Sequence, residues 1–331
     1  MKYSVIIPVY NRPDEVSELL ESISIQEREL NDIEVIVVED GSAVKCDHVV
    51  EQYKEKLNIK YYFKDNSGPG QTRNYGAERA EGEWLIILDS DAVLPPGYFN
   101  AVDAELDKED SDAFGGPDKA HKDFTDIQKA INYGMTSFFT TGGIRGGKKK
   151  MDKFYPRSYN MGIKSEVYKT LGGFSKMRFG EDIDLSLRIF KGGYACRLFP
   201  EAWVWHKRRT DLRKFFKQVH NSGIARIHLH KRHPGSMKLV HMLPAAFTIG
   251  SIILLIGEIF CIWSIVPLLF YALVILIDAT MQEKSLKVGF LAIGASFVQL
   301  FGYGTGFIKA FWKRIICGGG EFNAYEKTFY K

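Results

Sequence analysis

After Met237 the chain carries three runs without a charged residue, 242–257, 259–277 and 288–308. Each approaches the roughly 20 apolar residues that a bilayer-crossing helix needs. A soluble domain would interrupt such runs with a polar face, so the sequence predicts a chain that is not purely soluble. The first two runs read as a hairpin of spans, with only Glu258 between them and Lys284 and Lys287 after the second. The third holds Gly289, Gly294, Gly302, Gly304 and Gly306, which permit a bent or re-entrant path as well as a close-packed crossing. A crossing is the favoured expectation. Yet Lys309, Lys313 and Arg314 follow the run directly, and such residues favour the cytosolic side, where a third crossing would not leave them.

The segment before these runs is strongly basic. Residues 207–232 hold nine of the 44 Lys and Arg against one of the 40 acids, leaving 35 basic and 39 acidic residues elsewhere. Within it Leu212, Phe215, Phe216 and Val219 fall at helical spacing, which predicts a basic amphipathic helix on an anionic membrane surface. Nucleic-acid binding is not expected, since the cluster adjoins an apolar run and matches no recognition motif.

The N-terminal part follows another rule. Apolar runs at 5–9, 34–38, 59–63 and 84–88 alternate with helix-like segments, which predicts an α/β domain with a mostly parallel sheet covered on both faces. The first helix has Asn11 as its expected cap, Pro13 at its start and Val16, Leu19, Leu20 and Ile23 on one face. Shorter helices are expected at 47–56 and 71–80, further helices at 165–171 and 182–190, and strands at 194–199 and 202–205. The glycine-rich basic stretch 142–150 reads as a loop. No secretory signal precedes the first strand, and four scattered cysteines suggest neither a disulfide framework nor a metal knuckle, so the domain is expected in the cytosol.

The first strand ends in Pro8-Val9-Tyr10-Asn11-Arg12 without the glycine fingerprint of a dinucleotide site, which disfavours a nicotinamide enzyme. Acids gather at strand ends instead: Glu39-Asp40 after the second and Asp89-Ser90-Asp91 after the fourth. Ligands of open parallel sheets bind at those edges. Asp89 and Asp91, two apart in extended backbone, can face one ion, and carboxylates suit magnesium or manganese bridging to phosphates. Glu181, Asp182 and Asp184 surround a helix start, either as dipole-compensating acids or as a base near phosphates. His206 is either a surface histidine or a nitrogen ligand.

In order along residues 3–206, the VIIPVYN, VVEDGS, GPGQTRNYG, LDSD and GGF…GEDIDL stretches resemble the family 2 glycosyltransferases. The resemblance implies a GT-A fold and inverting transfer from a nucleotide-diphosphate sugar, a uridine diphosphate sugar first. It implies that Pro8 and Tyr10 line the base pocket, that Asp40 accepts a bond from the uracil, and that Arg73 contacts the nucleotide. It further places Asp89 on the ribose or sugar and Asp91 on the Mn2+ or Mg2+, with His206 joining. Asp182 is the implied base, Glu181 the fallback, and Asn160 faces the acceptor. The trailing apolar segments resemble membrane-bound exopolysaccharide transferases of the succinoglycan type.

The implied division is a catalytic domain at 1–206, an interfacial segment at 207–236, a membrane domain of two to three helices at 237–315 and a tail at 316–331. Such an enzyme would sit in the cell inner membrane as a multi-pass protein, its catalytic domain cytoplasmic. It would meet a membrane-associated acceptor, a polyprenyl-diphosphate-linked glycan before a lipid headgroup. The QxxRW motif of processive synthases is absent after Gln218, which predicts one sugar per encounter. The rival reading is a catalytically silent sugar-nucleotide binder or assembly scaffold.

Overall fold

The computed structural model describes residues 1–119, 124–142, 154–177 and 179–322. They form two compact units: residues 1–119 with 154–207, and 124–142 with 208–322.

The first unit runs β1 (Tyr3–Val9), α1 (Pro13–Ser24), β2 (Ile33–Asp40), α2 (Asp47–Glu51), β3 (Asn58–Lys64), α3 (Pro69–Ala77), β4 (Trp84–Leu88), β5 (Ala92–Val93), α4 (Tyr98–Lys108), β6 (Ala113–Gly115) and β7 (Asp118–Lys119). Two helices of the second unit, α5 (Asp126–Thr136) and α6 (Phe138–Thr141), come next in the chain. The first unit resumes with β8 (Asn160–Lys164), α7 (Ser165–Leu171), α8 (Glu181–Lys191), β9 (Cys196–Leu198) and β10 (Val204–His206).

Seven strands order as β3-β2-β1-β4-β8-β6-β9. The β3-β2-β1-β4 half is parallel, and β8 runs antiparallel to both β4 and β6. The sheet is thus mostly parallel, as the alternation of elements predicts. Its central strands are buried on both faces, as β1 sends Tyr3, Val5, Ile7 and Val9 into one core cluster and Ile6 into another. Val16, Leu19, Leu20 and Ile23 of α1 close the first cluster, and truncating one such leucine to alanine costs about 2–5 kcal/mol.

Asn11 does not cap α1. It adopts φ 53°, a left-handed turn that asparagine tolerates better than most residues. Its Oδ1 accepts from the Ala43 and Val44 amides at 2.8 and 2.9 Å, while its own N–H donates to Ser42 Oγ at 2.8 Å. The side chain thereby ties the ends of β1 and β2 together instead of serving its own helix.

The second unit continues with α9 (Leu212–Arg232), α10 (Leu243–Gly257), α11 (Val266–Glu283) and α12 (Leu286–Phe311). Two helical stretches, Ile262–Glu283 of 22 residues and Leu286–Ile316 of 31, are long and apolar enough to cross a membrane by length and composition. Leu243–Gly257 is shorter. The last apolar run is therefore the longest helix, and its glycines are packing positions. A Cβ on Gly302 would strike Val219 Cγ2, and one on Gly306 would strike the His220 carbonyl, so only glycine lets α12 approach α9 this closely.

A single break after residue 206 does not describe the chain. Residues 124–142 belong with the later helices because Ala130, Ile131 and Tyr133 of α5 pack against Val288, Ala292 and Ala295 of α12. The glycine-rich stretch after Gly142 and the tail after Phe322 lie outside the described residues.

Candidate active site

The carboxyl ends of the parallel strands build one edge of the first unit. β1 delivers Pro8 and Tyr10 there, β2 delivers Asp40, and β4 delivers Asp89. A second, three-stranded sheet of order β5-β10-β7 completes the site, since the pairing of His206 with Ala92 sets the imidazole beside Asp91. Each of Asp89, Asp91 and His206 offers one ligand atom, all within 4.8 Å of one another. His206 Nε2 lies 3.2 Å from Asp91 Oδ1. Two carboxylates with one imidazole form a donor set suited to Mn2+, which accepts both oxygen and nitrogen, more than to Mg2+.

Two arginines set the electrostatics. Arg12 Nη1 donates to Asp91 Oδ2 at 2.9 Å. Burial works against its charge, but Asp91 and then Glu15 outweigh that and raise its pKa. Arg73 is only 3% exposed, with Nη2 on Asp89 Oδ1 at 2.7 Å and Nη1 on Glu181 Oε1 at 3.0 Å. Burial again opposes the cation, and Asp89 and Glu181 together hold its pKa above the usual value. Arg73 therefore joins two acidic clusters that stand nearly a hundred positions apart, with one N–H of each terminal nitrogen engaged by them.

The three acids of α8 part company. Asp184 pairs with Arg188 at 2.8 Å. Glu181 turns inward to Arg73. Burial lifts its carboxyl above the ordinary range, Arg73 opposes the lift, and the charge of Asp182 adds to it. Asp182 takes the intermediate place: Oδ1 accepts from the Ile183 amide at 2.8 Å, and Oδ2 lies 3.3 Å from Arg157 Nη1. Among the three side chains, that of Asp182 is the most exposed, at 17% against 11% for Glu181 and 4% for Asp184.

Two expected roles change. Asn160 is fully buried; Tyr98 OH donates to its Oδ1 at 2.6 Å and its Nδ2 donates to the Ala202 carbonyl at 2.7 Å. Both ends of the amide are consumed in joining β8 to α4 and the 199–202 turn, so it does not face an acceptor. Asp40 is 1% exposed and accepts from Lys64 Nζ at 2.7 Å and from the Ser67 and Gly68 amides at 2.9 Å each. It shapes the loop over the expected base pocket and retains little capacity for a direct bond.

Arg12, Arg157, Asp118 and Tyr159 were not legible as site residues. Tyr159 stacks on His206 with ring centroids 5.0 Å apart and donates to Asp118 Oδ1 at 3.1 Å. Only Arg12 carried a signal, its position directly after the turn that ends β1.

A family model described as glycosyl transferase family 2 matches residues 4–172. The poly(ribitol-phosphate) beta-N-acetylglucosaminyltransferase TarS of Staphylococcus aureus is 39% identical over 114 residues, 34% of this chain and 20% of that protein. The minor teichoic acid biosynthesis protein GgaB of Bacillus subtilis is 28% identical over 220 residues, 63% of this chain and 23% of that protein. The chain thus spans about a fifth of the length of these relatives. Mannosyltransferase PcManGT from Pyrobaculum calidifontis, in complex with GDP-Man and Mn2+, matches with a TM-score of 0.65 at 18% identity over 91% of this chain and 87% of that one. TarS 1-349 in complex with UDP-GlcNAc matches with a TM-score of 0.51 at 19% identity, covering 96% and 93%. At these identities the likeness to solved structures is one of fold.

Proposed function

The chain belongs to glycosyl transferase family 2 and is a glycosyltransferase, and from that premise we propose a metal-dependent, inverting transfer of a single sugar from a uridine diphosphate sugar. The acceptor we assign is a membrane-associated, polyprenyl-diphosphate-linked glycan, in the synthesis of a surface polysaccharide. The observation that carries this reading is the convergence of Asp89, Asp91 and His206 at the strand ends with Asp182 on the adjoining helix start, linked through Arg73 and Glu181.

Asp89, Asp91 and His206 would hold the metal, which when bound supplies positive charge against the departing diphosphate. Asp182 removes the proton from the acceptor hydroxyl as that oxygen attacks the anomeric carbon. The bond to the diphosphate oxygen breaks on the opposite face, and no covalent enzyme intermediate forms. Arg157 keeps the Asp182 carboxylate in place, while Arg73 and Glu181 fix the distance between base and metal ligands. Pro8, Tyr10 and the loop ordered by Asp40 form the pocket for the base. The relatives' names support a cell-surface polymer, and the UDP-GlcNAc and UDP complexes of TarS support the donor class.

Membrane attachment is assigned to the second unit, on the inner face of the cell membrane with the first unit in the cytoplasm. A thermal-shift screen of nucleotide sugars with and without Mn2+ tests the donor. Stabilisation by one uridine diphosphate sugar only in the presence of metal is expected. Equal stabilisation without metal, or none by any nucleotide sugar, overturns the proposal.

A further inference from the structure

Every crossing model drawn from length and apolarity makes α12 a membrane span, and the packing of α9 contradicts that. The two helices run side by side in the same direction. Leu212 Cδ1 lies against Gly294, Val219 against Gly302, His220 against Gly306, and Ile224 and Ile227 cluster with Phe307 and Ala310. That contact extends from Gly294 to Ala310 of α12, roughly 24 Å at the helical rise. Arg213, Lys214 and Lys217 are exposed on α9 between Leu212 and Val219, level with residues 294–302 of its neighbour. The uncharged run of α12 is 288–308, so those three cations stand beside its middle. An upright α12 would hold them at the centre of the hydrocarbon, where lysine and arginine are strongly disfavoured and too deep to reach either surface.

The ends of α12 give a second argument. Lys284 and Lys287 precede or open the helix and Lys309, Lys313 and Arg314 close it, so both ends carry the residues that favour the cytosolic side. A crossing satisfies one end only; a helix lying along the surface satisfies both. At its start Lys287 pairs with Asp126 of α5 at 2.8 Å, and Tyr133 of α5 donates to Asp278 of α11 at 2.5 Å, a polar layer that hydrocarbon would not tolerate uncovered.

The hairpin of α10 and α11 is different. The first turns of α10 meet α12 where Thr248 lies against Gly304, and the last turns of α11 meet it where Leu276 and Thr280 lie against Gly289. Between those anchors the hairpin is apolar and open. Ile253, Ile259, Phe260, Trp263, Leu269 and Phe270 are all more than half exposed, and Glu258 is the one acid of residues 249–270. A continuous apolar surface of that kind marks a membrane or partner contact. The flanking cations on α9 and at the start of α12 complement anionic headgroups, which fixes the occupant as a lipid bilayer.

We propose that the α10–α11 hairpin alone enters the bilayer, and that α12 lies along the cytosolic membrane surface with α9 beside it, leaving Cys317 on the same side as the catalytic unit. The inference rests on the membrane reading above but not on the donor or the reaction. It resolves the conflict between the length of the last apolar run and the basic residues that follow it.

The test uses the full chain in sealed membrane vesicles, with Cys317 as one reporter and an exposed Glu55→Cys as the other, each in a background lacking the remaining cysteines. A membrane-impermeant maleimide reads the side of each. Labelling of both residues in the same vesicle orientation, and protection of both in the other, is the expected result. Labelling of the two residues in opposite orientations overturns the proposal and restores α12 as a span. Recovery of the chain in the soluble fraction after mild lysis removes the membrane reading itself, and a stable soluble dimer in that fraction assigns the hairpin surface to a second copy.

Discussion

The two units solve the burial problem in opposite ways. The first buries charge on purpose: Arg73, Glu181, Asp91 and Asp40 are all less than a tenth exposed, each carrying an ionic or hydrogen-bonded partner. The second leaves apolar side chains uncovered, with Phe260 at 87% and Ile259 at 79% exposed. Buried charge is costly unless paired, and exposed apolar surface is costly in water. The two features therefore point to function in each unit, a polar reaction site in one and an apolar contact surface in the other. The same contrast holds within the second unit, because Gly302 and Gly306 of α12 are fixed by packing while Ile259, Phe260 and Trp263 at the tip of the α10–α11 hairpin are largely exposed.

If the first unit's charges serve chemistry, Asp182→Asn should produce the largest effect. Transfer is expected to fall by about 10³-fold, within the usual range for loss of a general base. Affinity for the nucleotide sugar should stay within about twofold, since the group acts on the acceptor in the transition state. Steady-state rates beside donor titrations check both. Loss of donor affinity in parallel with rate would make Asp182 a binding residue and blur the contrast between the units.

A substitution in the second unit should do the reverse. Gly306→Leu forces a side chain into the His220 carbonyl, and such overpacking costs about 3 kcal/mol or more. The detergent-solubilised protein should melt earlier, while donor affinity measured below the transition is unchanged. A smaller loss of about 2 kcal/mol is expected for Asn160→Ala, which orphans Tyr98 OH and the Ala202 carbonyl. Its Michaelis constant for acceptor should not move; an increase would return Asn160 to the acceptor site.

Much of the first unit was legible because its strands are short apolar runs bounded by turn residues, and because the acids at strand ends have a topological reason to be there. What the residues could not display was which partner each polar group would take. Asn11 has the composition of a helix cap, but the left-handed turn that binds the 43–44 amides offers it two donors instead of one. Asn160 looks like a ligand contact until long-range packing shows both ends of its amide partnered within the chain, and Arg73 carries two acids that only the fold brings to it. α4 and α5 were not read from the sequence, although Thr125 and Gln128 form a capping box at the start of α5, and the apolar face of α5 is covered by α12. In the second unit the glycines of the last run lowered its apparent helicity. Their meaning depends on α9, about eighty residues earlier, which periodicity within one segment cannot reveal.

The smallest effect expected is on pH. Glu181 has its carboxyl raised above the ordinary 4.5 by burial first, so the folded state holds the proton more tightly than the unfolded chain. Its stabilising contribution is fully present below the ordinary value and is lost as pH rises through the raised one. Melting temperatures of Glu181→Gln should therefore decline less than those of the parent over that window. An identical decline in both would place the titration elsewhere.

The central claim is that Asp89, Asp91 and His206 form the metal-dependent half of a sugar-transfer site. Release of nucleoside diphosphate from the stabilising uridine diphosphate sugar, followed in Mn2+ and in excess EDTA for the parent and for Asp91→Asn, tests it most directly. Turnover in Mn2+ that is abolished by EDTA and lowered about 10²-fold or more by Asp91→Asn is the predicted result. Parent turnover that persists in EDTA, or that is unchanged in Asp91→Asn, contradicts the account.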